Sequence, residues 1–260
     1  MKKVRPKKAL GQHFLNDLEI ARKIADTTDT APNELPILEV GPGMGVLTQF
    51  LLTKKRGLKV IEIDTESVTY LQENFPRLAG NIIEGDFLKM DLNQLFENKP
   101  FILTGNYPYN ISSQIFFKML DYKDRIPVCT GMIQKEVAER ITARPGSKAY
   151  GILSVLIQAW YDTEYLFTVD EHVFTPPPKV KSAVIRLTRN GIDNLGCDES
   201  LMKRIVKLVF GQRRKQLRNP LKSLVRKECP ILGEEFFTQR PEQLSVQDFI
   251  TLTNRLAAYL

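Results

Sequence analysis

The chain has 260 residues, 43% hydrophobic and 26% charged, with a net charge of +7. That suffices for one large domain or a domain plus a smaller one, and no apolar run is long enough to span a bilayer. The basic start lacks a following apolar core, so no secretory signal is expected; three scattered cysteines and two histidines form neither a disulfide framework nor a metal-ligand spacing, which makes a metal-free, cytoplasmic protein the expectation.

Hydrophobic patterning predicts strands alternating with helices. Residues 18–27 read as a helix, with Asn16 and Asp17 as alternative N-caps. Residues 36–40 read as a first strand, ended by Gly41-Pro42-Gly43-Met44-Gly45 and followed by an apolar helix over 46–52. Residues 58–64 form a second strand, with a helix over 66–75, and 81–84 a short third. Residues 101–105 are the fourth, followed by a helix through 116–120, and 127–133 the fifth. Residues 135–143, with Glu136 and Arg140 at i,i+4 spacing, and the apolar stretch 151–160 are helical. Two late strands, 165–169 and 182–187, are separated by a loop too short for a helical crossover, so they are expected to pair antiparallel at one edge.

The expected fold is therefore α/β, a doubly wound, mostly parallel seven-stranded sheet with an antiparallel edge strand. After Asn190-Gly191 the strand signal stops, and residues 200–260 read as helices only, interrupted at Pro220, Pro230 and Pro241. A boundary near residue 190 separates a domain of residues 1–190 from a small all-helical domain of residues 191–260. The lone Trp160 reads as core. Residues 1–8 carry five Lys/Arg and residues 201–227 carry ten, neither with an acid; the remaining 22 basic and 30 acidic residues leave the body at −8. Positive charge confined to two segments points to a polyanionic partner.

The chemistry-bearing residues fall at successive strand ends. Gly41, Gly43 and Gly45 let the backbone turn tightly and approach a ligand, but the third glycine comes too early for a dinucleotide fingerprint. Glu62 ends the second strand, where a carboxylate can accept from ribose hydroxyls, with Asp64 as its competitor two residues on. Asp86 and Phe87 follow the third strand; Asp86 either accepts from an adenine amino group or simply caps a helix. Asn106-Tyr107-Pro108-Tyr109 follows the fourth strand. It is either an ordinary turn or a clamp in which Asn106 Oδ1 and the Pro108 carbonyl accept hydrogens from an aromatic amine while Tyr109 stacks on the base.

In that order, these residues resemble S-adenosylmethionine-dependent amino-group methyltransferases. The segments 11–17 (GQHFLND), 134–140 (QKEVAER), 174–182 (FTPPPKVKS) and 211–219 (GQRRKQLRN) narrow the resemblance to the small-subunit ribosomal RNA adenine dimethyltransferases, the bacterial kasugamycin-sensitivity enzymes. The resemblance runs from about residue 5 to the end. It implies a Rossmann-like methyltransferase domain, S-adenosyl-L-methionine as cofactor, and N6-dimethylation of two adjacent adenines in a hairpin near the 3′ end of 16S ribosomal RNA. It also implies a partner in the immature small ribosomal subunit, a late role in subunit assembly, and a monomer.

Carried over by position, the resemblance places His13, Leu15, Gly41, Gly43, Glu62, Asp86, Phe87 and Asn106 at the cofactor, and Asn106, Pro108, Tyr109 and Phe174 at the target base. Phe174 is expected as the second aromatic wall; without the resemblance it reads equally as a core aromatic. His13 stands where many relatives carry Asn, so it either contacts the cofactor or is a satisfied loop histidine. Tyr107 receives no role. Lys7, Lys8, Arg213, Arg214, Lys215, Arg218 and Lys222 are expected at RNA phosphates. Three other readings remain: a large-subunit RNA methyltransferase, disfavoured by 211–215; a non-catalytic nucleic-acid binder, disfavoured by the intact Asn-x-Pro-Tyr; and a nicotinamide oxidoreductase, disfavoured by the glycine spacing.

Overall fold

The computed structural model, which describes residues 4–7 and 10–260, opens with a two-residue strand, β1 (Phe14–Leu15), and helix α1 (Leu18–Asp26). Asp17 is the N-cap: its Oδ1 accepts from the Glu19 and Ile20 amides at 2.8 and 3.0 Å. Asn16 instead donates from Nδ2 to Thr175 Oγ1 at 2.7 Å. The two candidates for one cap thus serve different elements.

Strands and helices then alternate: β2 (Ile37–Val40), α2 (Thr48–Leu51), β3 (Leu58–Glu62), α3 (Thr65–Asn74), β4 (Ile82–Glu84), β5 (Ile102–Asn106), α4 (Ser112–Asp121), β6 (Val128–Gln134), α5 (Lys135–Ile141) and α6 (Ile152–Gln158). β7 (Tyr161–Val169), β8 (Phe174–Thr175) and β9 (Ser182–Arg189) follow. α2 is shorter than the apolar pattern predicts, because Gly43 and Gly45 adopt φ of +54° and +79° and hold the preceding chain in turns.

Seven strands form one sheet in the order β4-β3-β2-β5-β6-β9-β7, with β2, β3, β4, β5 and β6 parallel. β2 is buried along its whole length, as expected of a parallel strand covered on both faces. β9 runs antiparallel to β6, with Gly131 opposite Ile185, and lies between β6 and β7. The antiparallel strand is therefore next to the edge, and β7 holds the edge itself. A separate two-stranded ribbon pairs β1 with β8 antiparallel, Leu15 opposite Phe174. The surrounding core includes Ile24, Ile37, Leu51, Val60, Ile102, Val184 and Phe174.

The chain divides into two units, Met1–Ala138 with Asp162–Arg189, and Glu139–Tyr161 with Asn190–Leu260. This departs from a boundary at 190, which keeps residues 139–161 in the first domain. The reason is packing. α6 contacts α7 (Glu199–Gly211) and α9 (Val246–Ala257), and Tyr150 meets Phe210 edge-on at 6.2 Å between ring centroids. Arg213 also donates to the Ser147 and Lys148 carbonyls at 3.0 and 2.7 Å. Trp160 is buried, as expected. Pro220 lies inside α8 (Arg218–Leu221) and does not interrupt it, since a missing N–H costs little in a first turn. No helix among the described residues is long and apolar enough to cross a membrane.

Candidate active site

The strand order places the strand that precedes Gly41 between the two that carry Glu62 and Asn106 at their ends. The order reverses between β2 and β5, the position at which open α/β sheets form a ligand crevice. A cleft of about 950 Å³, counting the solvent at its mouth, opens there. Its lining includes Gly41, Gly43, Glu62, Asp86, Phe87, Asn106, Pro108 and Tyr109, together with His13 and Leu15.

On one side the backbone shapes the cleft. Gly43 lies under the ring of Phe14: a Cβ there would sit 2.9 Å from Phe14 Cε1. Glu62 is 3% exposed. Its Oε1 accepts from the Ile63 and Asp64 amides, both at 2.9 Å, and Oε2 from the Gly43 amide at 3.0 Å. Burial pushes its carboxyl pKa up, and these three donors oppose that. Oε2, with one bond, is the oxygen that retains acceptor capacity.

Asp64, the competing carboxylate, is committed elsewhere. It ion-pairs with Lys7, accepts from Ser67 Oγ at 2.9 Å and from Gln12 Nε2 at 3.4 Å, and does not line the cleft. Lys7 also pairs with Glu66 at 3.1 Å. Lys7 thus clips the N-terminal segment to the start of α3, with its side chain 39% exposed. Lys8 lies outside the described residues.

Asp86 caps no helix but closes a turn. Its Oδ1 accepts from the Leu88 amide at 2.9 Å, and Lys89 lies 3.7 Å from Oδ2. Phe87 is buried, with Lys118 Nζ 5.6 Å from its ring centroid. Lys118 in turn donates to the carbonyls of Leu88 and Met90, which ties α4 to this loop.

On the other side, Asn106 Nδ2 donates to the His13 carbonyl at 3.2 Å, which orients the amide. Oδ1 is left as its acceptor, with no hydrogen bond among the described residues. The Pro108 carbonyl accepts from the Ile111 amide at 3.2 Å and keeps a second lone pair. The Tyr109 hydroxyl bonds Ser182 Oγ, and burial pushes its pKa up. Tyr107 points beneath: it is fully buried, its hydroxyl donates to the Thr130 carbonyl at 3.0 Å, and its amide donates to Met132 O at 3.0 Å. It fills the space over Gly131, where a Cβ would lie 2.8 Å from its ring. The side chain without a sequence-assigned role therefore fastens the turn to β6.

Phe174, expected as an aromatic wall of the target site, is 3% exposed, packs in the core beside β1, and is not among the lining residues. Pairing of β8 with β1 turns it inward. The ring that stacks on Tyr109 is His13, at 5.3 Å between centroids and 26° between planes.

Several lining residues were not expected, among them Ile63 and Glu39. Ile63 lines the cleft although 49% exposed; an isoleucine between two acids at a strand end was the available signal. Glu39 also lines it, fully buried, with Oε2 accepting from Thr48 Oγ1 at 2.7 Å. Burial pushes its pKa up to about 8; a carboxylate within a buried strand was the signal.

Of the basic residues in the second unit, Arg213 is spent on the Ser147 and Lys148 carbonyls and lies 3.9 Å from Glu242. Arg218 donates to Gln216 at 2.8 Å. Arg214, Lys215 and Lys222 are exposed. Away from the cleft, ligand atoms of Asp170, Glu171 and His172 lie within 4.8 Å of one another, a grouping not expected from sequence, but Asp170 is paired with Lys181 at 3.2 Å.

The parallel sheet, its glycine turn and the carboxylate at the end of β3 define a Rossmann-like protein built to hold a nucleoside-containing ligand at the carboxyl ends of its strands. More particularly, the family model for ribosomal RNA adenine dimethylase matches residues 3–256, and the chain belongs to that family. It is 70% identical over 257 residues to ribosomal RNA small subunit methyltransferase A of Phocaeicola vulgatus, covering 99% of this chain and 91% of the relative. It is 69% identical to the protein of the same name from Bacteroides thetaiotaomicron, covering 98% and 96%. Among solved structures, a dimethyladenosine transferase from Plasmodium falciparum shares the fold, with a TM-score of 0.77, 23% identity and coverage of 95% and 98%. The 23S rRNA methyltransferase ErmE is similar at TM-score 0.66 and 27% identity, covering 94% and 99%.

Proposed function

We propose that this chain is an S-adenosylmethionine-dependent methyltransferase that dimethylates N6 of two adjacent adenines in a hairpin near the 3′ end of 16S ribosomal RNA. On this reading it acts in the cytoplasm, as a monomer, on an immature small subunit, with a role in subunit biogenesis. The observation that carries the reading is the Asn106–Tyr109 turn opening onto the same cleft as the glycine turn and Glu62. Family membership and the 70% identical relative support the substrate class.

The residues present suit the cofactor. Glu62 Oε2 has acceptor capacity for a ribose hydroxyl, and one hydroxyl is what that oxygen accommodates beside the Gly43 amide. Ile63 and Phe87 offer apolar surface for the adenine ring, and Asp86 Oδ2 an acceptor for its amino group. Leu15, Gly41 and Gly43 line the remainder. His13 reaches this side through its backbone, whose carbonyl orients Asn106.

Bound S-adenosylmethionine supplies an electrophilic methyl group on a sulfonium. The protein must make a poor nucleophile available, because the lone pair of an aromatic amine is delocalised into the ring. Asn106 Oδ1 and the free lone pair of the Pro108 carbonyl accept hydrogen bonds from the two amine hydrogens, which localises on nitrogen the lone pair that was shared with the ring and leaves it perpendicular to the ring plane, available for the methyl group. Tyr109 offers its face to the base, which must leave its stack to enter. The step needs positioning and acceptors, and we assign it no metal. Arg214, Lys215, Arg218 and Lys222, with Lys8 of the arm, hold RNA phosphates.

The test is transfer of labelled methyl groups to undermethylated small and large subunits in parallel, with the modified bases mapped. Label is expected on two adjacent adenines of the small-subunit RNA. Label confined to large subunits, or to another base, overturns the assignment.

A further inference from the structure

Residues 140–150 carry three basic side chains, Arg140, Arg144 and Lys148, and no acid. They lie outside the two basic segments that the charge pattern singles out, in the stretch that joins the second unit from the middle of the chain. Arg144 and Lys148 stand in the connection between α5 and α6.

That connection is a built turn. In Arg144-Pro145-Gly146-Ser147 the Ser147 amide donates to the Arg144 carbonyl at 3.2 Å, proline stands second, and Gly146 stands third at φ +86°, the arrangement of a type II β-turn. The turn is fastened from three directions. Gln158 Nε2 donates to the Ile141 and Ala143 carbonyls just before it, both at 2.8 Å. The Gly146 amide donates to the Glu242 carbonyl at 2.6 Å. Arg213 donates to the Ser147 and Lys148 carbonyls. Each of these contacts engages the backbone.

The side chains of the turn are left over. Arg144 and Lys148 are exposed, and neither side chain has a hydrogen bond or ion pair among the described residues. The bonds from Arg213 set the turn beside Arg214 and Lys215, which are likewise exposed and without a side-chain partner. Four unneutralised cations thus lie close together on one unit. They repel one another in the free protein and raise the local potential for a polyanion. A fixed backbone also lowers the ordering cost of binding one.

We propose that the turn of residues 144–148 is a further RNA-binding element, in which Arg144 and Lys148 each hold a phosphate next to those held by Arg214 and Lys215. This rests on the reading of the chain as an RNA methyltransferase and extends its RNA surface to a segment outside both basic runs.

The test uses the full chain as wild type, as the double variant Arg144→Gln/Lys148→Gln, as each single variant, and as Lys55→Gln. The last removes an exposed, unpaired cation from the other unit and controls for net charge. Affinity for undermethylated small subunits is measured across a range of salt concentrations, together with the thermal midpoint and single-turnover methyl transfer at saturating subunits. The double variant is expected to make the log–log salt slope shallower by about 1.4–1.8, two contacts of about 0.7–0.9 each. Its thermal midpoint should match wild type, and transfer at saturation should stay within about twofold, because only uniform binding is lost. Lys55→Gln should leave the slope unchanged. A double variant with the wild-type slope, or with a change no larger than that of Lys55→Gln, overturns the proposal. So does a shallower slope that tracks a lowered thermal midpoint, which would make the two side chains structural. If the double variant does not fold, the single variants decide, each expected to lose about 0.7–0.9 of slope. A wild type whose affinity for small subunits does not vary with salt removes the underlying reading, and is distinct from all of these.

Discussion

The two sides of the cleft are built by different means. The side that holds Gly41, Gly43, Glu62 and Asp86 is made of strand ends in register, and its polar groups are set by backbone amides, one or two residues away except for Gly43 on Glu62 Oε2. The side that holds Asn106 and Tyr109 depends on contacts across 73 to 163 residues: His13 with Asn106 and Pro176, Tyr109 with Ser182. Local geometry makes the first side robust and readable. The second side is assembled by the β1–β8 ribbon, so its aromatic composition follows from a tertiary pairing and not from any one motif.

If the two sides divide the work as proposed, substitutions should separate catalysis from cofactor affinity. The largest effect is expected from Asn106→Ala, which removes the amine acceptor. Single-turnover transfer should fall roughly 10²–10³-fold, the range for loss of one preorganised polar group, while calorimetry shows cofactor affinity little changed. Near-normal transfer would erase the distinction. Glu62→Gln should do the converse. Affinity for S-adenosylmethionine should weaken about 10- to 100-fold, the worth of a charge-assisted hydrogen bond, with transfer at saturating cofactor less affected.

The cofactor side also rests on Glu39, whose pKa is about 8 in the fold. The folded protein holds this proton more tightly than the unfolded chain does. Its contribution is therefore fully present below the ordinary carboxyl pKa and is lost as pH rises through about 8. Denaturant titrations should show stability falling across that window, by at most about 1.4 kcal/mol per pH unit from this group, and Glu39→Gln should flatten the slope.

The smallest effects are expected in the second unit, as a contrast between neighbouring arginines. Arg214→Ala should leave stability unchanged and reduce the log–log salt slope of RNA binding by about 0.7–0.9. Arg213→Ala should lower thermal stability by about 1 kcal/mol for its carbonyl bonds and alter the salt slope less.

Much of this architecture was legible in the chain. Strand ends carrying glycines, Glu62, Asp86 and Asn106 in order line one cleft, because parallel β/α units deliver successive strand ends to one edge of the sheet. The departures share a physical cause. Whether Phe174 faces a base or the core depends on its pairing with Leu15, far away in sequence. Asn16, Lys7 and Arg213 looked like a cap and two phosphate ligands; the first takes a partner on β8, and the others take oxygen partners at distant positions. Tyr107 received no role because what it does, filling the space above Gly131, exists only once β5 and β6 lie side by side. The excursion of residues 139–161 into the second unit left no composition signal, since an apolar helix looks the same whichever core receives it.

That excursion bears on how the molecule can be recombined. The second core is encoded in two separate stretches, with α6 in one and α7 and α9 in the other. Swapping only residues 190–260 with those of a relative would mate a foreign α7 and α9 with the resident α6, whose Val155 and Ile157 are buried. The inheritable unit is the pair of stretches. Exchange of substrate preference between relatives should therefore succeed when both travel together and yield poorly packed chimeras when one moves alone.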